Sequence, residues 1–184
     1  MAGGRDVSMA LRGSWFQERW HACQTRPRAE KQVDRMLKLC GVQAYLPLLA
    51  QTRQWTDRKK LVDFPLFPGY VFARFGPEQI HQVLLTPGVV TIVRSGGAPV
   101  PVREEDLESV RIVLACAKAG LPPPEPAEFV ELGQEVLVRE GPFSGVRGVV
   151  TEDRGRTRVV VRLCALKRAL SVELPRGMLR AAGQ

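Results

Sequence analysis

The 184-residue sequence has no apolar run approaching the roughly 20 residues needed to cross a bilayer. Met1–Ser14 carries no long apolar stretch of the signal-peptide kind and reads as a mobile tail, so cytoplasmic residence with no membrane contact is expected. Cysteine is scarce and scattered: Cys23, Cys40, Cys116 and Cys164 form no CxxC pair, and only His21 and His81 could join them as ligands. A zinc site needs closely spaced pairs, so no metal is expected and the thiols should be reduced and mostly buried. Catalytic signatures are missing too. There is no glycine-rich loop ending in GK[ST], no GxGxxG behind a strand, no HExxH and no GxSxG. The acidic cluster at Glu104–Glu108 could supply an acid/base pair, but a helix N-terminus explains it without chemistry. The sequence therefore points to binding, with no enzyme activity and no cofactor. Acidic residues are also in deficit, 19 against 27 basic, and the resulting charge of +8 favours a polyanionic partner.

What is present is an ordinary soluble composition, 45% hydrophobic and 25% charged, with material for one large domain or two small ones. Trp20–Thr25 alternates and stops at Arg26-Pro27, which predicts a first strand followed by a helix entry. In Arg28–Cys40, Ala29, Val33, Met36, Leu37 and Cys40 recur at helical spacing as a core stripe, while Arg28, Lys31, Arg35 and Lys38 form a second, wholly basic stripe. Gly41 suits the helix end. Ala44–Leu49 reads as a strand, Gln51–Lys60 as a polar, basic hairpin tip, and Pro77–Thr86 as a short helix. Val89–Val93 and Pro99–Val102 read as strands, and Glu104–Lys118 as a further helix. Alternation of this kind predicts an α/β sandwich of about 100 residues. Gly120–Glu128, with four prolines in nine residues, should be a stiff extended spacer. Beyond it, Glu135–Arg139, Arg147–Thr151, Arg158–Leu163 and Leu170–Leu174 read as strands of a small β-barrel. The helix-forming run Leu163–Leu170 allows a helical excursion there.

Three stretches could bind. Phe64–Phe75 (FPLFPGYVFARF) crowds aromatics ahead of a strand expected at Tyr70–Phe75, with Leu66 and Phe67 on the outside or in a shallow groove. Such a cluster is either plain core or a docking surface for a partner helix. Between Arg26 and Lys60 stand nine basic residues, Arg26, Arg28, Lys31, Arg35, Lys38, Arg53, Arg58, Lys59 and Lys60, against three acidic ones, Glu30, Asp34 and Asp57. If helix and hairpin share a face they make a strip for phosphates, with Trp55 available for base stacking; otherwise the helix face is merely solvated, with salt links through Glu30 and Asp34. Gly141-Pro142-Phe143 is a tight turn that either presents Phe143 at the barrel tip or uses it to plug the barrel end, with Gly145 and Gly148 allowing close packing below.

WHACQTRPR, AEKQVDRML and PLFPGYVFARF, in that order and spacing, resemble the N-terminal (NGN) domain of the NusG family of transcription elongation factors, and VLVREGPFSGVRGVV resembles the KOW domain that follows it. The resemblance covers residues 18 to about 181. It implies an α+β chain: a tail at 1–17, an NGN-like antiparallel sheet with flanking helices at 18–119, a Pro-rich linker at 120–128 and an all-β KOW barrel at 129–182. It further implies a monomeric elongation or antitermination factor that binds the β′ clamp helices of RNA polymerase through Phe67, Tyr70 and Phe72. The basic residues Arg26, Arg28, Lys31, Arg35, Lys38, Arg58, Lys59 and Lys60 would then meet the displaced non-template DNA strand. Pro142 and Phe143 would meet a small-subunit ribosomal protein or the termination factor Rho. PLFPGYVFARFGPEQIH is similar to specialised paralogues such as RfaH, in which His81 would begin a His-Thr-Thr contact to the polymerase β gate loop. Here Gln82 and Val83 replace the threonines, and Gln24 stands where RfaH has a docking aromatic. RfaH also holds its C-terminal domain as a helical hairpin; the β-branched runs at Val136–Val138, Val149–Val150 and Val159–Val161 favour a permanent barrel instead. The rival function is an RNA-binding or ribosome-associated KOW protein without a polymerase role.

Overall fold

A computed structural model describes residues 17–54, 59–129, 133–153, 156–174 and 179–181. The chain divides into two compact units, one built from the sequence up to Leu46 together with Phe67–Pro101, the other from Pro47–Leu66 together with the sequence from Val102 onwards.

In the first unit, β1 (Arg19–Thr25) is followed by α1 (Glu30–Leu39) and β2 (Gln43–Tyr45). Pro47 has no N–H to continue a ladder, so the single strand expected over Ala44–Leu49 is broken there. The next two strands, β3 (Leu48–Gln54) and β4 (Lys59–Pro65), form an antiparallel hairpin in the second unit. The first unit resumes with β5 (Tyr70–Phe75), a 3-10 turn at Pro77–Gln79, α2 (Ile80–Leu84), β6 (Val89–Ile92) and the short β7 (Arg94–Ser95) and β8 (Ala98–Pro99). Its sheet runs β2–β5–β1–β6, every neighbouring pair antiparallel. Strand period then decides which side chains meet the helices. Cys23, Val71, Ala73, Phe75 and Ile92 share a buried cluster with Val33 and Leu37 of α1 and Val83 of α2. Fully burying Val33 and Leu37 contributes roughly 1.5–3 kcal/mol each.

The core stripe expected on α1 holds at Val33 and Leu37, weakens to half-buried at Ala29 and Met36, and fails at Cys40, which is exposed. Cys40 lies past the last helical residue, where the chain turns away. Gly41 takes φ +78°, Gly41 N–H bonds Lys38 O at 3.1 Å and Val42 N–H bonds Leu37 O at 3.0 Å, a Schellman closure. The expectation of mostly buried thiols is met at Cys23 and Cys116 and corrected at Cys40 and Cys164; all four are free.

The short β9 (Pro101–Val102) falls where the first unit's sequence ends and the second's resumes; the second unit then has α3 (Glu104–Lys118), and its C-terminal part is all β: β10 (Glu125–Ala127), β11 (Glu135–Val138), β12 (Arg147–Asp153), β13 (Arg156–Leu163), β14 (Arg168–Glu173) and β15 (Leu179–Ala181). These six form one antiparallel sheet in the order β10–β14–β13–β12–β11–β15. The α+β class expected from the sequence is what the chain adopts. The proline spacer is shorter than expected, because Glu125–Ala127 pairs with β14 at the sheet edge, where Pro126 is tolerated. Val159, Val160 and Val161 are all buried, and α3 packs on β13 and β12, so β13 is covered on both faces. The helical excursion allowed in Leu163–Leu170 amounts to one 3-10 turn, Cys164–Leu166, ended by Lys167 at φ +49°.

Candidate partner-binding surfaces

The aromatic turn comes first. Thr25 N–H donates to Gly69 O at 2.8 Å and Tyr70 N–H to Phe67 O at 3.1 Å, which curls the chain back before β5 begins. The Phe67 ring consequently sits edge-on to Phe72, centroids 6.0 Å apart, and Phe72 lies 6.4 Å from Tyr45. This corrects the expected exposure. Phe67 and Phe72 are buried, at 5% and 0%, and Tyr70 alone of the three is partly open. Tyr70, Phe72 and Arg74 do turn to the face opposite Val71, Ala73 and Phe75, as strand alternation requires. Exposed Pro68 lies two residues before Tyr70, and exposed Gln24 pairs with Tyr70 in the β1–β5 register. The surface part of this site is therefore a tyrosine with a polar neighbour.

His81 is exposed on α2. The two residues after it are committed internally: Gln82 Nε2 donates to Cys40 O at 3.0 Å, and Val83 is wholly buried in the core cluster. A three-residue contact motif cannot be read outward from such a helix.

On α1 and the turn before it, Arg26, Arg28, Lys31, Arg35 and Lys38 are all exposed. Lys38 Nζ pairs with Asp34 Oδ2 at 2.8 Å, an i, i+4 link. Glu30 does not join that face. It is 6% exposed and its Oε1 accepts the Gly69 N–H at 2.8 Å, so the strip has one fewer negative charge than its sequence suggests. Lys59 and Lys60 lie on β4 in the second unit, Lys60 exposed. Arg58 and Trp55 fall outside the described residues.

The C-terminal turn is also less open than expected. Pro142 is exposed, but Phe143 is only 5% exposed and, with Pro122, Pro123 and Val172, lines a small pocket of the second unit. The turn is laid against α3. Cys116 Sγ–H donates to Pro142 O at 2.9 Å, Arg147 N–H donates to Ser109 Oγ at 3.0 Å, and a Cβ on Gly145 would come within 3.1 Å of Ile112. Burial pushes the Cys116 thiol up, consistent with an S–H that donates.

The acidic start of α3 is structural. Arg103 Nε and Nη2 hold the two Asp106 carboxylate oxygens at 3.1 and 2.8 Å. Burial nonetheless raises the Asp106 pKa against that pairing. Among the described residues no group of His, Cys, Asp and Glu has the arrangement of a metal site. Sequence reasoning missed Glu30, Ser109 and Cys116 as contact residues; each is tied to a backbone group at least 26 positions away, which no local pattern encodes.

Residues 18–111 match the NusG family model, described as transcription termination factor nusG. The "Transcription termination/antitermination protein NusG" of Neisseria meningitidis serogroup B is 27% identical over 173 residues, covering 86% of this chain and 96% of that protein. The protein of the same name from Pseudomonas aeruginosa is 30% identical over 169 residues, covering 85% and 94%. A solved structure described as "Domain interaction in Thermotoga maritima NusG" is 25% identical, covers 90% of this chain and 98% of that one, and superposes with a TM-score of 0.46. This chain belongs to the NusG family.

Proposed function

We propose that this protein is a non-catalytic, cytoplasmic transcription elongation and antitermination factor that docks on RNA polymerase at the β′ clamp helices and suppresses pausing. The observation that carries this reading is the hydrogen-bonded Pro68–Tyr70 turn, which leaves Tyr70 partly open beside Gln24 in a chain of this family. Phe67 and Phe72 serve as the rigid floor that sets the height of Tyr70, and His81 makes a single-residue contact to the β gate loop. The exposed Arg26, Arg28, Lys31, Arg35 and Lys38 meet phosphates of the non-template strand, and Arg58, Lys59 and Lys60 of the second unit make phosphate contacts of their own. Pro142 and Phe143 recruit a second partner, a small-subunit ribosomal protein or Rho, once the turn leaves α3. The NGN-like domain at 18–119 and the KOW domain at 129–182 then act as two binding modules on one chain.

Affinity for core RNA polymerase tests the docking surface. Tyr70→Ala should weaken binding about tenfold or more, as loss of an aromatic anchor does. Unchanged affinity would return the protein to the ribosome-associated alternative.

A further inference from the structure

The position of Glu30 carries an inference of its own. An acidic residue in the first turn of a helix is favoured by the dipole and normally stays in solvent, where its charge costs nothing. Glu30 opens α1 but is 6% exposed, and its carboxylate reaches across 39 positions to accept the Gly69 N–H at 2.8 Å. The carbonyl of the same glycine accepts Thr25 N–H at 2.8 Å. Gly69 is thus held through both its polar backbone groups by the segment that joins β1 to α1. Its backbone sits at φ +83°, and a Cβ placed there would meet nothing within 4 Å, so the glycine is required by conformation and not by space. Tyr70 is the next residue.

We infer that Glu30 is a positioning residue for the docking turn: its carboxylate fixes the Gly69 peptide and thereby the direction in which Tyr70 leaves the sheet. The same contact ties that turn to the helix whose outer face carries Lys31, Arg35 and Lys38, so the two surfaces move as one piece. The inference rests on the docking reading above, and the experiment separates the two.

Amide exchange at Gly69, and affinity for core RNA polymerase over a salt series, are measured on the full chain and on Glu30→Gln, Glu30→Met, Glu30→Asp and Tyr70→Ala. Glutamine keeps the acceptor and should keep Gly69 protected, with affinity within about threefold. Methionine fills the space without an acceptor; it should lose the protection and about tenfold in affinity, with an unchanged salt slope because no cation is removed. Aspartate keeps the charge at the helix start but is one methylene short, and should behave like methionine; it also covers the case in which the methionine variant does not fold. Wild-type affinity in Glu30→Asp with Gly69 unprotected, or a Glu30→Gln as weak as Glu30→Asp, would overturn the inference. If Tyr70→Ala binds like the parent, the docking reading falls and this one with it. If Tyr70→Ala is weakened while Glu30→Asp is not, the role given to Glu30 alone is wrong.

Discussion

The two glycine turns, Phe67–Gly69 in the first unit and Gly141–Gly145 in the second, look alike in sequence and are held in different ways. Each carries an aromatic that reads as an outward anchor, and in each the aromatic is buried, Phe67 and Phe143 both at 5%. The first turn is fixed from the sheet end by a carboxylate and a strand N–H, with Tyr70 left partly open. The second is fixed by a helix, through a thiol and a hydroxyl that bind its backbone or the strand it enters, and leaves only Pro142, Ser144 and two glycines outside. A turn held at its flank can present a side chain while staying ordered. A turn held against a helix must let go of it first.

Glycines separate the two regions most sharply. Gly148 on β12 has ordinary φ, but a Cβ there would lie 2.5 Å from Val160 O and 2.7 Å from a Val159 methyl. Backbone cannot yield as a flexible side chain can, so Gly148→Ala should cost about 2–3 kcal/mol and loosen β12 from β13. Gly69→Ala meets nothing, and its cost is the left-handed backbone alone, about 1–2 kcal/mol. Gly69→Asn should recover part of that, because asparagine tolerates the region. Urea unfolding followed by NMR cross-peaks of each unit checks the pair. An asparagine no better than alanine would mean that Gly69 answers to crowding and not to φ.

A smaller effect is expected where α3 holds the second turn. Ser109 Oγ donates to Glu105 O at 2.8 Å and accepts Arg147 N–H at 3.0 Å. Ser109→Ala strands that N–H at the edge of a turn that water can reach, at a cost of about 1 kcal/mol. Faster amide exchange at Arg147, with little change at Gly69, is the expected result. Equal loosening of both turns would erase the distinction between them.

Much of this was legible in the residue order. The helical period of Val33 and Leu37, the alternation of Val71, Ala73 and Phe75 and the acidic start of Glu104–Lys118 are local patterns, and local patterns decide where helices and strands lie. The exposed basic residues of α1 were legible for the same reason. Exposure of Phe67, Phe72 and Phe143 was not, because burial depends on what the turn folds back upon. The ring of Phe67 found Phe72 through two backbone hydrogen bonds that no spacing announces. Glu30 misled in the opposite direction: its charge suggested the solvated face, yet it stands three residues before Val33 and seven before Leu37 on the same buried stripe, where the Gly69 N–H meets its carboxylate. Pro47 was a missed break with a visible cause, and so was Pro101, where the single strand expected over Pro99–Val102 divides into β8 and β9.

The smallest expected effect sets the two units against each other by pH. His21 is half-buried on β1, stacked on Phe75 with centroids 4.6 Å apart. Burial lowers its pKa; the Arg19 backbone contact pulls it up, and the Arg19 charge lowers it again. With the folded value below 6.5, the unfolded chain takes up the proton first, so stability from this residue is present above 6.5 and is lost as pH falls through the folded value. Asp106 in the second unit has the other sign. Its folded pKa is raised above 3.8, chiefly by burial, so its contribution is present below 3.8 and is lost as pH rises through the folded value. Between pH 7.5 and 5.5, urea unfolding should therefore show the first unit weakening slightly while the second holds steady or gains. His21→Phe, which keeps an aromatic against Phe75 and cannot be protonated, should flatten the first response and leave the second alone. A first unit that still weakens in acid after that substitution would place the titrating group elsewhere.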